Sequence, residues 1–132
     1  MCYPTDRGGI VDNKEKIIRD VVHGYITIDN LTEKLINTYN FQRLKDIRQL
    51  TAQHVYPSAT HNRFEHSLGV MYLAVQAFEA LRPRLEKKGK TSEELRSLGL
   101  HFKIAALLHD VGHAPFSHLG EKFFPPQEAI ND

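Results

Sequence analysis

The chain has 132 residues, 41% hydrophobic and 25% charged, with a formal net charge of +1. That composition fits one soluble globular domain rather than a disordered chain, and the net charge argues neither for nor against nucleic acid. One cysteine, Cys2, excludes an internal disulfide framework and fits a reducing, cytoplasmic setting; no apolar run reaches the roughly 18 residues of a membrane span, and "MCYPTDRGG" lacks a signal-peptide core.

Residues 1–14 are polar, carry Pro4 and Gly8-Gly9, and read as a flexible lead-in. "KIIRDVVHGYITID" (16–29) has β-branched runs on either side of His23-Gly24 and reads as a small hairpin. From Leu31 the period changes. Leu31, Leu35, Phe41, Leu44, Ile47 and Leu50 fall at helical intervals through "LTEKLINTYN" and "FQRLKDIRQLTA". A longer helix starts at Asn62, with Glu65 completing a capping box. Its apolar face is Phe64, Leu68, Met71, Val75 and Phe78, and Pro83 is expected to bound it. "RPRLEKKGK" is a basic, solvated connection. Thr91 with Glu94 opens a second helix whose stripe is Leu95, Leu98, Phe102, Ala105 and Leu108, and Gly112 is placed to stop it. The chain is expected to be mostly α. Phe123-Phe124 before two prolines and a polar tail suggest a chain cut from something longer.

Seven of the eight histidines lie between His54 and His118 (His54, His61, His66, His101, His109, His113, His118). The apolar run 104–108 ends abruptly in His109-Asp110. A carboxylate at a helix C-terminus opposes the negative end of the dipole. A divalent cation would reverse that sign and accept a neutral imidazole as well. The ordinary alternative is a chance His-Asp pair on a partly exposed turn. His66, on the first turn of the other long helix, would meet His109 and Asp110 if the two helices are antiparallel. Its alternative is a core-edge histidine bonded to a carbonyl. His113 and His118 flank "APFS" and suit phosphate contacts or protonation of a leaving group, or they are solvated loop residues. Arg63 is either a phosphate clamp or an ordinary surface arginine.

Together "DVVHGYITI", "FQRLKDIRQL", "YPSATHNRFEHSLGV" and "LLHDVGHAPFSH" resemble successive motifs of the HD-domain metal phosphohydrolases, and within them of the deoxynucleoside triphosphate (dNTP) triphosphohydrolase branch, over about residues 16–124. The resemblance implies an HD-domain helical fold with a short N-terminal β-hairpin, and makes residues 15–132 the N-terminal part of that domain. It implies that His66, His109 and Asp110 hold a divalent transition metal (Fe, Mn, Zn, Co or Ni), with Mg on the substrate phosphates. Arg63 would hold the attacked phosphate and His113 would contact the phosphates. His118 would protonate the departing 5′ oxygen, oriented by Glu121, and Gln49 would line the sugar–base pocket. The implied reaction turns a dNTP into a deoxynucleoside and tripolyphosphate.

The resemblance further implies an activating nucleotide at Lys16, Asn37, Gln42 and Lys45, and a homo-oligomer, a tetramer in the family. Asn37 stands where relatives that read guanine carry Asp, and Lys45 where Arg is usual. Asn can accept through only one oxygen, so guanine-specific activation does not follow. The ordinary alternative for Lys16 and Lys45 is a pair of solvated lysines. A fourth metal ligand is expected from an Asp beyond residue 132, so the 132 residues alone are expected to be inactive and to bind metal poorly. Two other functions remain open on the residues: another HD phosphohydrolase acting on different nucleotides, or a non-catalytic nucleotide- or nucleic-acid-binding module using the basic residues of 43–48 and "RPRLEKKGK".

Overall fold

The structure is a computed structural model that describes residues 15–50 and 55–113. The expected lead-in at 1–14, the end of "FQRLKDIRQLTA", His118, Glu121 and the Phe123-Phe124 pair lie outside the described residues.

Strands β1 (Lys16–Asp20) and β2 (Gly24–Ile28) pair antiparallel, with Ile18 opposite Ile26 and Lys16 opposite Ile28. Asp20 closes the turn. Its Oδ1 accepts from the backbone N–H of Val22 (2.9 Å) and His23 (2.7 Å) and sits 2.9 Å from His23 Nδ1. The alternation of β2 buries Ile26 and Ile28 and leaves Tyr25 outside. The His23 ring lies against Tyr72 and over Gly69, where a Cβ would come within 2.8 Å of the imidazole. Gly69 therefore seats the hairpin turn on the long helix.

Helix α1 (Asn30–Ile36) starts at Asp29, whose carboxylate accepts from Thr32 N–H at 2.8 Å and from Lys103 Nζ at 2.8 Å. It buries Thr32 and Ile36, while Leu31 is 43% exposed, so its core face is one position away from the one periodicity selects. Helix α2 (Tyr39–Gln42) runs into a 3₁₀ turn, Arg43–Asp46. The helical period then fails. Ile47 is extended (φ −106, ψ 114) and Arg48 makes an isolated bridge with Asn62. Phe41, Leu44 and Ile47 are buried all the same, because a tight turn can aim them at the same core.

Helix α3 (Arg63–Lys87) has the expected capping box, Asn62 with Glu65. It does not stop at Pro83, which lies inside it. A proline removes one ladder bond and bends a helix rather than ending it outright. The stop is Gly89, in the left-handed region (φ +84), with Gly89 N–H donating to Glu86 O and Lys90 N–H to Leu85 O. Helix α4 (Ser92–Leu108) opens on the Thr91–Glu94 capping box. It ends four residues before Gly112, which has no positive φ; the turn is closed by Val111 N–H to Leu108 O and His113 N–H to Asp110 O. The expected stripe of α4 is only partly inside. Leu95 and Leu107 are buried, but Leu98 is 46% and Phe102 45% exposed, and Ala105 is exposed. Apolar residues surround α4, so period alone could not choose its packed face.

The core joins the inner face of the hairpin, the 36–47 segment and the ends of α3 and α4 that lie together: Ile26, Ile28, Ile36, Phe41, Leu44, Ile47, Leu68, Met71 and Leu107. No described helix is long and apolar enough to cross a membrane.

The Asp29–Lys103 pair ties α1 to α4 across 74 residues of sequence. Partial burial raises the Asp29 pKa, but the bonds from Lys103 and Thr32 outweigh it and hold the carboxyl at about 2, against an ordinary 3.8. A lowered folded pKa stabilises fully above the unfolded value, and that stabilisation is lost as pH falls towards 2. Lys103→Met is therefore expected to lower the urea midpoint at pH 7 and to flatten its decline between pH 4 and pH 2. An unchanged slope over that window would show that the pair contributes nothing.

Candidate metal centre

The site is built where the start of α3 meets the exit of α4. Arg63 and His66 are three residues apart, so they project from one face of the first turn of α3. Arg63 N–H donates to Ile47 O at 2.8 Å, which fixes that first turn against the 3₁₀ segment. The antiparallel run of α4 brings His109 and Asp110 back to it, as expected. His109 is the C-cap of α4 and Asp110 lies in the turn beyond, rather than within the helix.

Asp110 is the centre. It is 5% exposed. Arg63, 4% exposed, donates from Nη1 to Asp110 Oδ2 at 2.6 Å. His66 Nε2 is 3.8 Å from Oδ2, His109 Nε2 is 3.4 Å from Oδ1, and His113 Nε2 is 3.3 Å from Oδ1. The His66 and His109 rings meet edge to face, with centroids 5.3 Å apart. One donor atom from each of His66, His109 and Asp110 lies within 4.8 Å of the others.

These residues fit a divalent cation. His109 Nδ1 is 2.8 Å from Ala106 O. A carbonyl only accepts, so Nδ1 carries a proton there and Nε2 is the ring nitrogen turned towards Asp110 and His66. Burial lowers the His66 pKa, and the positive fields of His109, Arg63 and His61 add to it against the opposing pull of Asp110. A neutral imidazole is the ligating form. Two nitrogens and a carboxylate oxygen suit a first-row transition metal.

Gln49 is held near the site by its N–H to His61 O at 3.3 Å, and its buried Oε1 has no hydrogen-bond partner among the described residues. A groove of about 710 Å³ opens beside the centre, lined by Arg19 and His23 of the hairpin, Lys45, and His61, Phe64 and His66. Of the four residues assigned to an activator, Lys16 pairs with Glu33 of α1, and Gln42 Nε2 donates to Ile36 O at 2.8 Å beside Asn37, the C-cap of α1. Lys45 Nζ lies 4.7 Å from the centroid of the Phe64 ring.

Sequence reasoning missed Arg43. Its Nη2 donates to Val111 O at 2.5 Å, across 68 residues. The acceptor is a backbone oxygen, so no residue type at position 111 signals the bond.

Comparison with known proteins agrees with this geometry. A family profile described as "HD domain" matches residues 63–129, just over half of the 132. The chain is 45% identical over 112 residues to the chicken (Gallus gallus) protein named deoxynucleoside triphosphate triphosphohydrolase SAMHD1, covering 84% of this chain and 18% of that one. It is 46% identical over 112 residues to the human (Homo sapiens) protein of the same name, covering 84% and 17%. A Dictyostelium discoideum homolog is 38% identical over 125 residues, covering 92% and 23%. The chain thus spans about a fifth of the length of these relatives. His66, His109 and Asp110 all fall in the matched segment, at the start of α3 and the exit of α4, and the chain belongs to the HD domain family.

Proposed function

We propose that the protein containing this chain hydrolyses dNTPs to deoxynucleosides and tripolyphosphate. The observation that carries the reading is the buried Asp110 flanked by His66, His109 and Arg63. The names of the relatives supply the substrate class.

When bound at His66, His109 and Asp110, a divalent metal supplies a nucleophile at neutral pH and neutralises charge on the phosphoryl oxygens. Fe, Mn, Zn, Co and Ni all suit the donor set, and Mg suits the substrate phosphates. The chain's own residues do the rest. Arg63 holds the α-phosphate in line, and His113, 3.3 Å from Asp110, contacts the phosphate oxygens. The bond between α-phosphorus and O5′ breaks as one water is consumed. His118, oriented by Glu121, gives a proton to O5′, so the deoxynucleoside leaves as an alcohol. Gln49 meets the sugar–base part of the substrate. Residues 15–132 are then the N-terminal part of the domain. In the same reading an activating nucleotide binds at Lys16, Asn37, Gln42 and Lys45 of a cytoplasmic homo-oligomer.

The test takes the longest product of the gene with Mn²⁺, Mg²⁺ and all four dNTPs, and identifies the product by phosphorus NMR. Tripolyphosphate is expected. Pyrophosphate or orthophosphate would move the protein to another branch of HD phosphohydrolases.

A further inference from the structure

The gap between the two halves of the metal centre has to be set by something other than the ligands themselves. Arg63 and His66 belong to α3, His109 and Asp110 to the exit of α4. The segment 43–47 touches both. Its last carbonyl, Ile47 O, accepts from Arg63 N–H at 2.8 Å, and Arg43 Nη2 donates to Val111 O at 2.5 Å. Arg63 opens α3 one turn before His66, and Val111 follows Asp110 directly. The segment is itself fixed. Phe41 and Leu44 are completely buried and Ile47 is 5% exposed, all three in the main core.

We propose that Arg43 is a positioning residue for the metal centre: through Val111 it holds the Asp110 turn at a set distance from the start of α3. The proposal rests on the metal-centre reading of His66, His109 and Asp110. Changing an outer group that orients a ligand typically costs about 10–100-fold in metal affinity. Two arginines from other elements bond the 109–113 turn: Arg63, on the carboxylate, and Arg43, on the backbone. The competing account is that Arg43 only satisfies one of the carbonyls that a helix leaves open at its C-terminal end. That account gives Arg43 a part in stability and none in metal binding.

The experiment separates them. The longest product of the gene is titrated with Co²⁺, following visible absorption, as wild type, Arg43→Ala, Arg43→Lys and Thr91→Ala. Thr91→Ala removes the N-cap at the far end of α4 and so weakens the same helix away from the centre. Arg43→Ala is expected to weaken Co²⁺ binding by about tenfold or more and to shift the ligand-field bands. Arg43→Lys keeps a donor and is expected to recover part of the affinity; Thr91→Ala is expected to leave affinity and spectrum as in wild type. Arg43→Ala with wild-type affinity and spectrum would overturn the proposal, as would an equal loss in Thr91→Ala. If wild type itself shows no Co²⁺ binding that His66→Ala removes, the metal-centre reading fails, and the role of Arg43 fails with it.

Discussion

Asp110→Leu alone is expected to cost the protein about 3–5 kcal/mol of unfolding free energy, and combining it with Arg63→Met to restore most of that loss. The reason is the burial of both partners. Arg63 is 4% and Asp110 5% exposed, and their charged atoms are 2.6 Å apart. Removing the carboxylate leaves a guanidinium desolvated without its counter-charge. Removing both charges for apolar groups of similar volume abolishes the desolvation cost along with the attraction, and such exchanges are often neutral or better. Metal binding is expected to behave differently. On the proposed metal-centre reading it should fall in Asp110→Leu and stay low in the double variant, because that reading makes Asp110 a ligand whichever residue faces it. Urea unfolding and Co²⁺ titration on the same three proteins check both halves. Recovery of stability without recovery of binding would mean that the pair is retained for the chemistry of the centre rather than for the fold. A double variant as unstable as the single one would mean that the pair is itself a principal support of the fold.

This division between fold and site also explains what could be read from the sequence. The two capping boxes, Asn62 with Glu65 and Thr91 with Glu94, are local signals, and both helices start where they say. The hairpin was legible because β-branched runs flank His23-Gly24. Helix ends were less so. Pro83 costs a helix one bond, and whether the helix survives depends on packing; Gly89, with its left-handed backbone, makes the stop instead. The 41–50 stretch keeps a helical spacing of apolar residues while its backbone turns extended at Ile47, since three buried side chains, Phe41, Leu44 and Ile47, can reach one core from a turn as well as from a helix. In α4 the apolar residues lie all round, so the identity of its inward residues, Leu95 and Leu107, was set by the packing partner. The centre followed the same rule. His66, His109 and Asp110 were each ambiguous alone, and were legible as a set through the motifs that resemble the HD phosphohydrolases. Arg43 was not, because its acceptor is a main-chain oxygen and its reach of 68 residues is a property of the fold.

Phe41→Ala is expected to lower the unfolding free energy by about 3–5 kcal/mol, which places this residue among the costliest in the core. Phe41 has no exposed surface, and its ring meets Phe64 edge to face at 5.3 Å and 70°. Lys45 lies over the same Phe64 ring at 4.7 Å. Phe64 is the second residue of α3, between Arg63 and His66, so Phe41 packs against the turn that carries half the centre. Truncation loses the transfer energy of a large ring, leaves a cavity, and forfeits an aromatic pair worth about 0.5–1.5 kcal/mol beyond its buried area. Phe41→Leu keeps most of the volume and is expected to cost clearly less, because hydrophobic swaps near constant volume are the best tolerated. The two variants, compared by urea unfolding, separate filling from ring geometry. Equal losses would mean that the edge-to-face contact with Phe64, not volume, sets the energy at this position. A loss below about 1 kcal/mol in Phe41→Ala would mean that the 39–47 segment collapses onto α3 without its ring, and a segment that can re-seat so easily could not hold Arg43 at a fixed distance from Val111.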